Sequence, residues 1–432
     1  MNNFLFIQKV EFFSSAYLRC CIFISENAEA GKKNFFTKKL YSKLISNSVL
    51  LEDFLDIHGA KNNSEWYFYR ELAAAVRHLS LAGYAQKHIS TRLAFYGLED
   101  IGNFEEDGNE NFAFLNDSLI KLASIILKEA KRLNIYIQTH RYKPNDFVQI
   151  PTDVMLEYDI QDENKDVQKK HIVKIASEFL SVAKDFNRFR FYEPYLIEDI
   201  KKIVPSKINE VEMRRFEMLV HNLQSSFDSY VIHSGYKFKD SKYKQLRSSF
   251  SIVFHLTQEI GRMLHFYERH LYQIGYKDVY KKTRQRLAEL VPPDKLLDKI
   301  VNYGVFYASH FLESGKKLAK KILNENIERK SIVASIPKDR GFHSRPSLLV
   351  AKIVRHYGGE VKLWVNKDSF DASSVLDIQW AGGKIAKDKV DEVIFEGDSR
   401  AIDDIKILAS VNYAEDTMGK GKPLPSELGY LR

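Results

Sequence analysis

The stretch Arg340-Gly341-Phe342-His343-Ser344-Arg345-Pro346 decides how the C-terminal part of this chain is interpreted. It stands between a β-prone run, Ser331 to Ile336, and an apolar pattern of helical period that continues to Tyr357. Pro346 suits the first turn of a helix, where a missing N–H costs nothing. His343 is therefore predicted to lie just before a helix start, where free N–H groups and the positive end of the helix dipole attract an anion.

His343 and Arg345 together have the chemistry of a phosphoryl-transfer site. An unprotonated imidazole is a competent nucleophile at neutral pH, and a positive helix end disfavours the imidazolium form. The guanidinium of Arg345 can bind phosphate oxygens through two parallel N–H donors, which lysine cannot do. Gly341 permits a tight loop. A histidine beside an arginine is usually an ordinary surface pair, so the interpretation needs support from the surrounding sequence.

That support comes from a family resemblance. The stretch resembles the Gly-Leu-His-Ala-Arg-Pro-Ala signature of the HPr family of phosphocarrier proteins. Four signature residues are kept: Gly341, His343, Arg345 and Pro346. Three are replaced, by Phe342, Ser344 and Ser347. The similarity covers about Ser331 to Val411 and continues through the apolar positions of the first helix.

The resemblance implies an open-faced β-sandwich, in which three helices cover a four-stranded antiparallel sheet. It implies that His343 and Arg345 are the catalytic pair. Around them, Gly341, Ser344, Pro346 and Ser347 form the phosphate-supporting loop and helix start. A phosphorylated enzyme I would donate to His343, and a IIA-type or regulatory protein of a bacterial sugar phosphotransferase system would accept the group. Such a carrier needs no bound cofactor.

A second family site falls at Ser374. Many bacterial HPr proteins carry a serine at the start of the second helix that an HPr kinase phosphorylates, and Ser374 takes that position here. A serine at a helix start is also a common cap, and Ser373 stands where the family usually has lysine. Apolar residues of this helix usually dock partner proteins. The residues in those positions are Val375, Leu376, Ile378 and Trp380.

The rest of the chain predicts helices. Apolar residues recur at helical spacing in several segments, for example from Trp66 to Tyr96 and from Ser248 to Gln273. We predict an α+β protein in four parts. These are an uncertain N-terminal extension (1–34), a helical domain of unknown role (35–328, with a possible sub-boundary near 144–166), the HPr-like domain (329–413) and a flexible tail (414–432).

Composition excludes several classes of protein. The two cysteines, Cys20 and Cys21, are adjacent, so a disulfide scaffold is excluded and a reducing cytoplasm is expected. No run of 18 apolar residues predicts a membrane span. The net charge of +8 is spread through mixed-sign segments, which argues against nucleic-acid binding.

Metal ligation is not predicted from the sequence. His265-x-x-Glu268 and His310-x-x-Glu313 reverse the Glu-x-x-His order of bundle di-metal sites, so these four residues are interpreted as ordinary surface and core residues.

The predicted function is that of a cytoplasmic phosphocarrier or regulatory protein, rather than a self-contained enzyme. In the alternative, the HPr-like domain is a docking module, and the phosphorylation of His343 or Ser374 sets the partner of the helical domain. A scaffold that keeps the fold without turnover also stays open.

Overall fold

The computed structural model describes residues 3–98, 101–137, 140–151, 156, 165–189, 191, 193–232, 241–272, 275–338, 340–416, 418 and 420–431. The chain forms two compact units, each assembled from three separate segments. The helical unit consists of Met1–Asp159, Phe186–Asn222 and Arg247–Leu312. The sheet unit consists of Ile160–Asp185, Leu223–Leu246 and Glu313–Arg432.

Helices account for most of the described chain. Those before the sheet are α1 (Asn3–Glu29), α2 (Lys38–Ile57), α3 (Tyr67–Tyr96), α4 (Phe104–Arg132), α5 (Lys165–Phe186), α6 (Ile197–Ile203), α7 (Glu210–Phe227), α8 (Ser241–Phe266), α9 (Asp278–Leu290), α10 (Pro293–Asp298) and α11 (Phe306–Asn326). Three π-helical segments occur among the described residues: Asp228–Ile232 after α7, Tyr267–Tyr272 after α8 and Lys299–Val305 after α10. Within the described residues, no helix combines the length and the apolar character that a bilayer crossing requires.

The apolar patterns of the sequence become buried faces in the helical unit. Leu72, Val76, Leu79 and Ala82 of α3 are all buried. The N-terminal extension forms α1, and its Tyr17 is fully buried in the same unit. Helix α1 therefore belongs to the packed core of the helical unit.

The sheet unit contains a four-stranded sheet. Its strands are β1 (Arg329–Ser335), β2 (Val361–Val365), β3 (Asp368–Asp371) and β4 (Glu392–Asp398). All pair antiparallel, in the order β1-β4-β2-β3, with Leu363 of β2 opposite Phe395 of β4. The predicted α+β class with a four-stranded antiparallel sheet is thus confirmed.

Three helices alternate with these strands along the chain. Helix α12 (Ser344–Tyr357) follows β1, α13 (Val375–Asp388) follows β3, and α14 (Ser399–Ser410) follows β4. Their apolar faces share one core with alternate strand residues such as Val361 and Leu363. Strand residues of the opposite orientation are open to solvent, as for Val333, which is 63% exposed. This one-sided burial follows from the two-residue period of a strand.

Two predicted boundaries differ from the structure. The sheet unit includes residues before 329, because Ser177 of α5 donates a hydrogen bond to the carbonyl of Tyr357 at 3.1 Å. The segment from 414 to 431, predicted to be a flexible tail, packs on the sheet unit. Ala414, Leu428 and Leu431 lie in its apolar core. The burial of these apolar side chains favours the ordered segment and opposes the entropy lost by ordering it.

Candidate functional site

The loop that carries His343 is anchored by its neighbour Phe342. The Phe342 ring is buried, with its centroid 5.2 Å from that of Tyr413 and 6.2 Å from that of Phe395. Gly341 has φ near +60°, a left-handed conformation that glycine adopts without strain. His343 then takes the N-cap position of α12 in an extended conformation, and its carbonyl accepts from the N–H of Ser347. The predicted placement at a helix start is what the structure has.

The His343 ring is paired with a buried carboxylate. Its Nε2 lies 3.0 Å from a carboxylate oxygen of Glu415; the His343 side chain is 29% exposed and that of Glu415 only 1%. An ionised carboxylate can only accept hydrogen bonds, so Nε2 must carry the proton. The lone pair then sits on Nδ1, which is the nitrogen able to act as a nucleophile.

Arg345 lies in the first turn of α12 and is exposed. Its guanidinium packs on Gly421 so closely that a Cβ at that position would overlap it. Its NH2 group is 3.5 Å from the carbonyl oxygen of Lys422. The segment around Glu415 and Gly421, joined to itself by an antiparallel bridge, thus contacts both members of the predicted catalytic pair.

The other residues of the predicted phosphate loop divide into two groups. Ser344 is exposed, and its hydroxyl accepts from the amide of Gln379 at 3.2 Å. Pro346 and Ser347 are buried, and the Ser347 hydroxyl donates to the Phe342 carbonyl at 3.0 Å. Ser344 is therefore available to a ligand at the helix start, whereas Pro346 and Ser347 shape the turn from within.

Ser374 caps the second helix of the sheet unit. Its hydroxyl oxygen accepts from the N–H of Asp377 at 3.2 Å, and the hydroxyl donates to the Asp377 carboxylate at 3.0 Å. The cap role is thus present. Phosphorylation of Ser374 stays a prediction, and a phosphate there would meet the like charge of Asp377.

The predicted docking residues of α13 do not share one face. Leu376 and Trp380, four residues apart, are 63% and 67% exposed. Val375 is half-buried, and Ile378 is fully buried in the core, so including Ile378 among the docking residues was wrong. The helix period turns Ile378 inward. Leu348 of α12, which the sequence analysis did not single out, is 42% exposed.

The helical unit brings three imidazoles together. His78 of α3, His265 of α8 and His270 of the adjoining π-helical segment each offer a ring nitrogen, and these atoms all lie within 4.8 Å of one another. The ring centroids of His78 and His265 are 4.0 Å apart. Of these three residues only His265 was singled out from the sequence, because the members of the cluster are far apart in the chain.

Glu415 was also missed, and no motif could have revealed it. It lies 72 residues beyond His343, in a segment that reads as polar and mobile. Comparison with known proteins found no match: the chain matches no protein-family model, no curated protein and no solved structure.

Proposed function

We propose that this protein is a phosphocarrier of the HPr type, in which His343 accepts a phosphoryl group from one protein and passes it to another. The proposal depends on one observation above all: the His343 ring stands at the N-cap of α12, with its Nε2 on the Glu415 carboxylate. That pairing leaves Nδ1 as the nucleophile beside a helix start that favours anions.

The transfer step follows from this geometry. Nδ1 attacks the phosphorus as the bond to the donor's own nucleophile breaks, and Nε2 keeps its proton. The ring becomes positively charged, and the Glu415 carboxylate stabilises that charge, as carboxylates do beside other catalytic imidazoles. The cationic ring is in turn a good leaving group for the next transfer.

The phosphoryl oxygens have donors available in the first turn of α12. The N–H groups of Ser344 and Arg345 precede the hydrogen-bonded part of the helix and so have no acceptor within it. The Arg345 guanidinium adds charge-assisted donors once it leaves the Lys422 carbonyl. These groups bind the three oxygens without any metal in the carrier, so the chemistry is mainly one of positioning.

The donor and acceptor proteins would dock on the exposed apolar side chains beside the site. Leu348, Leu376 and Trp380 are the large apolar residues of α12 and α13 that remain open to solvent. The hydrogen bond between Ser344 and Gln379 joins the start of α12 to α13, so these side chains flank the loop of His343. An enzyme I and a IIA-type or regulatory protein are the partners that this proposal requires.

Incubation of the full chain with a bacterial enzyme I, Mg²⁺ and labelled phosphoenolpyruvate tests the proposal. We expect acid-labile label on the wild type and none on His343→Ala, with His356→Ala as a matched control that stays labelled. A folded wild type that takes no label from several enzymes I would contradict phosphotransfer and favour the scaffold alternative.

Pull-down of partners with phosphorylated and unphosphorylated chain then distinguishes carrier from regulator. A carrier releases its label to a IIA-type protein. A regulator keeps its label and changes the partner that it binds.

A further inference from the structure

The strongest unassigned feature is the cluster of His78, His265 and His270 in the helical unit. Imidazole is the commonest metal ligand in proteins, and three rings with one open position form the donor set of catalytic zinc sites. A tetrahedral zinc ion with bonds of about 2.0–2.1 Å holds its ligand nitrogens about 3.4 Å apart. The nitrogens here lie within 4.8 Å of one another, so binding one ion requires the rings to move closer and His78 and His265 to turn out of their stacked arrangement.

Two of the rings are already oriented as metal ligands are. His265 Nδ1 lies 2.9 Å from a carboxylate oxygen of Glu210, and His270 Nδ1 lies 2.6 Å from one of Glu71. A metal-binding histidine usually donates one N–H to a carboxylate, which fixes the tautomer and raises the basicity of the other nitrogen. The pairing leaves Nε2 of each ring as the ligand atom.

The third ring carries an unsatisfied polar atom. His78 is 3% exposed, and its Nδ1 is buried with no hydrogen-bond partner among the described residues. An orphaned buried nitrogen costs free energy and calls for a specific explanation. Burial lowers the pKa of the His78 ring well below its usual value, and the neighbouring His265 lowers it further. The ring is therefore neutral, as a ligand has to be.

The backbone explains how His265 and His270 come to share one face. Five residues turn a regular α-helix by about 500°, which leaves the two side chains about 140° apart. A π-helical turn begins at Tyr267, and its i-to-i+5 bonds return residue i+5 close to residue i. Such π segments occur frequently at functional sites.

The cluster also reaches open space. His265 and His270 line a cavity of about 550 Å³, together with Glu71, Arg77 and Arg269. A metal held by the three rings would have its fourth position available to water or a small anion from this cavity. Arg77 and Arg269 supply positive charge for such an anion. The two carboxylates behind the rings, Glu71 and Glu210, also pair with Arg70 and Arg214.

We propose that His78, His265 and His270 bind one divalent transition-metal ion, zinc by the preference of its ligands, with an open coordination position facing this cavity. This departs from the sequence interpretation, in which His265 was paired with Glu268. In the structure, the Glu268 carboxylate accepts from the N–H of Glu210 at 2.7 Å instead. The proposal is independent of phosphoryl transfer at His343.

Titration of the full chain with ZnSO₄ tests it, using protein freed of metal by chelator and carrying no polyhistidine tag. We expect one zinc per chain and at least a 100-fold weaker Kd in His265→Asn and in His270→Asn. Asparagine keeps a donor for the partner carboxylate but removes the ligand nitrogen. The matched control is His255→Asn, because His255 lies outside the cluster and packs against His88, with ring centroids 3.9 Å apart, beside the Lys38 ammonium. This control should bind zinc as the wild type does.

Binding that is absent in the folded wild type, or undiminished in folded His265→Asn, would overturn the proposal. Circular dichroism establishes whether each variant folds. X-ray absorption at the zinc edge of the wild type needs no variant. A shell containing three imidazoles at about 2.0 Å supports the site, and a shell with fewer than three contradicts it.

Discussion

The two units bury different kinds of side chain. The core around the sheet is made of apolar residues, and two buried carboxylates lie beside it: Asp398, paired with Arg400, and Glu415, which contacts His343. The helical unit buries Arg70 among carboxylates, two histidines of the cluster (His78 and His270) and the acid Glu259. Buried ionic groups seldom add net stability and often mark functional sites. The contrast agrees with the metal site that we propose in the helical unit.

Substitution of the buried Arg70 has the largest expected effect on stability and tests the difference between the two units. Its side chain is 6% exposed and pairs with Glu52 at 2.7 Å, Glu71 at 2.8 Å and Asp56 at 2.7 Å. Arg70→Ala leaves these carboxylates without their cation, and we expect it to lower the free energy of unfolding by about 3–5 kcal/mol. Urea unfolding followed by circular dichroism measures the loss.

The exposed Arg345 is the matched control, and Arg345→Ala should unfold within about 0.5 kcal/mol of the wild type. Equal losses at both positions would show that the two units do not differ in the way proposed.

The buried acid Glu259 should make the free energy of unfolding depend on pH. Complete burial raises its pKa from 4.5 to about 8, although a hydrogen bond from Asn111 opposes the shift. The folded state binds this proton more tightly than the unfolded state. The stabilisation is therefore complete below about pH 4.5 and is lost as the pH rises through about 8, at about 1.4 kcal/mol per pH unit.

We therefore expect Glu259→Gln to remove roughly 3 kcal/mol of pH dependence between pH 5 and pH 7. The measurement is the unfolding free energy of both proteins across that range. Parallel curves for wild type and variant would mean that the acid is ionised in the folded state.

The site around His343 could be predicted because its residues are contiguous in the sequence. The histidine cluster could not be predicted because its residues are far apart in the chain. The signature around His343 lies within one loop and helix start, so residue spacing alone placed the ring at the N-cap of α12. The polar strand β3, Asp368-Ser369-Phe370-Asp371, shows no two-residue apolar alternation and was expected only from the family resemblance. The histidine cluster needs α3, α8 and a π turn, and no helical period predicts where a π turn occurs.

Substitutions at Arg345 test the sheet unit through the rate at which His343 is phosphorylated. Its guanidinium can bind two phosphoryl oxygens at once, and we expect Arg345→Ala to slow phosphorylation of His343 by about 100-fold. Arg345→Lys should fall between the two, because an ammonium provides charge without the planar pair of donors. Single-turnover labelling by enzyme I measures the rate. Equal rates for arginine and lysine would show that charge alone is sufficient.

Substitutions of Glu415 have the smallest expected effect on the phosphorylation rate. They separate its role in orienting the His343 ring from the role of its negative charge. Its carboxylate accepts from His343 Nε2, and in the proposed transfer it selects the nucleophilic nitrogen and stabilises the charged ring. Glu415→Gln keeps an acceptor and loses the charge, whereas Glu415→Ala loses both. We expect about a tenfold slower phosphorylation in Glu415→Ala and a smaller loss in Glu415→Gln, since hydrogen bonds to charged groups contribute about 1.5–3 kcal/mol and neutral ones less. Faster labelling in both variants would reverse the assignment, because the carboxylate would then be repelling the incoming phosphoryl group.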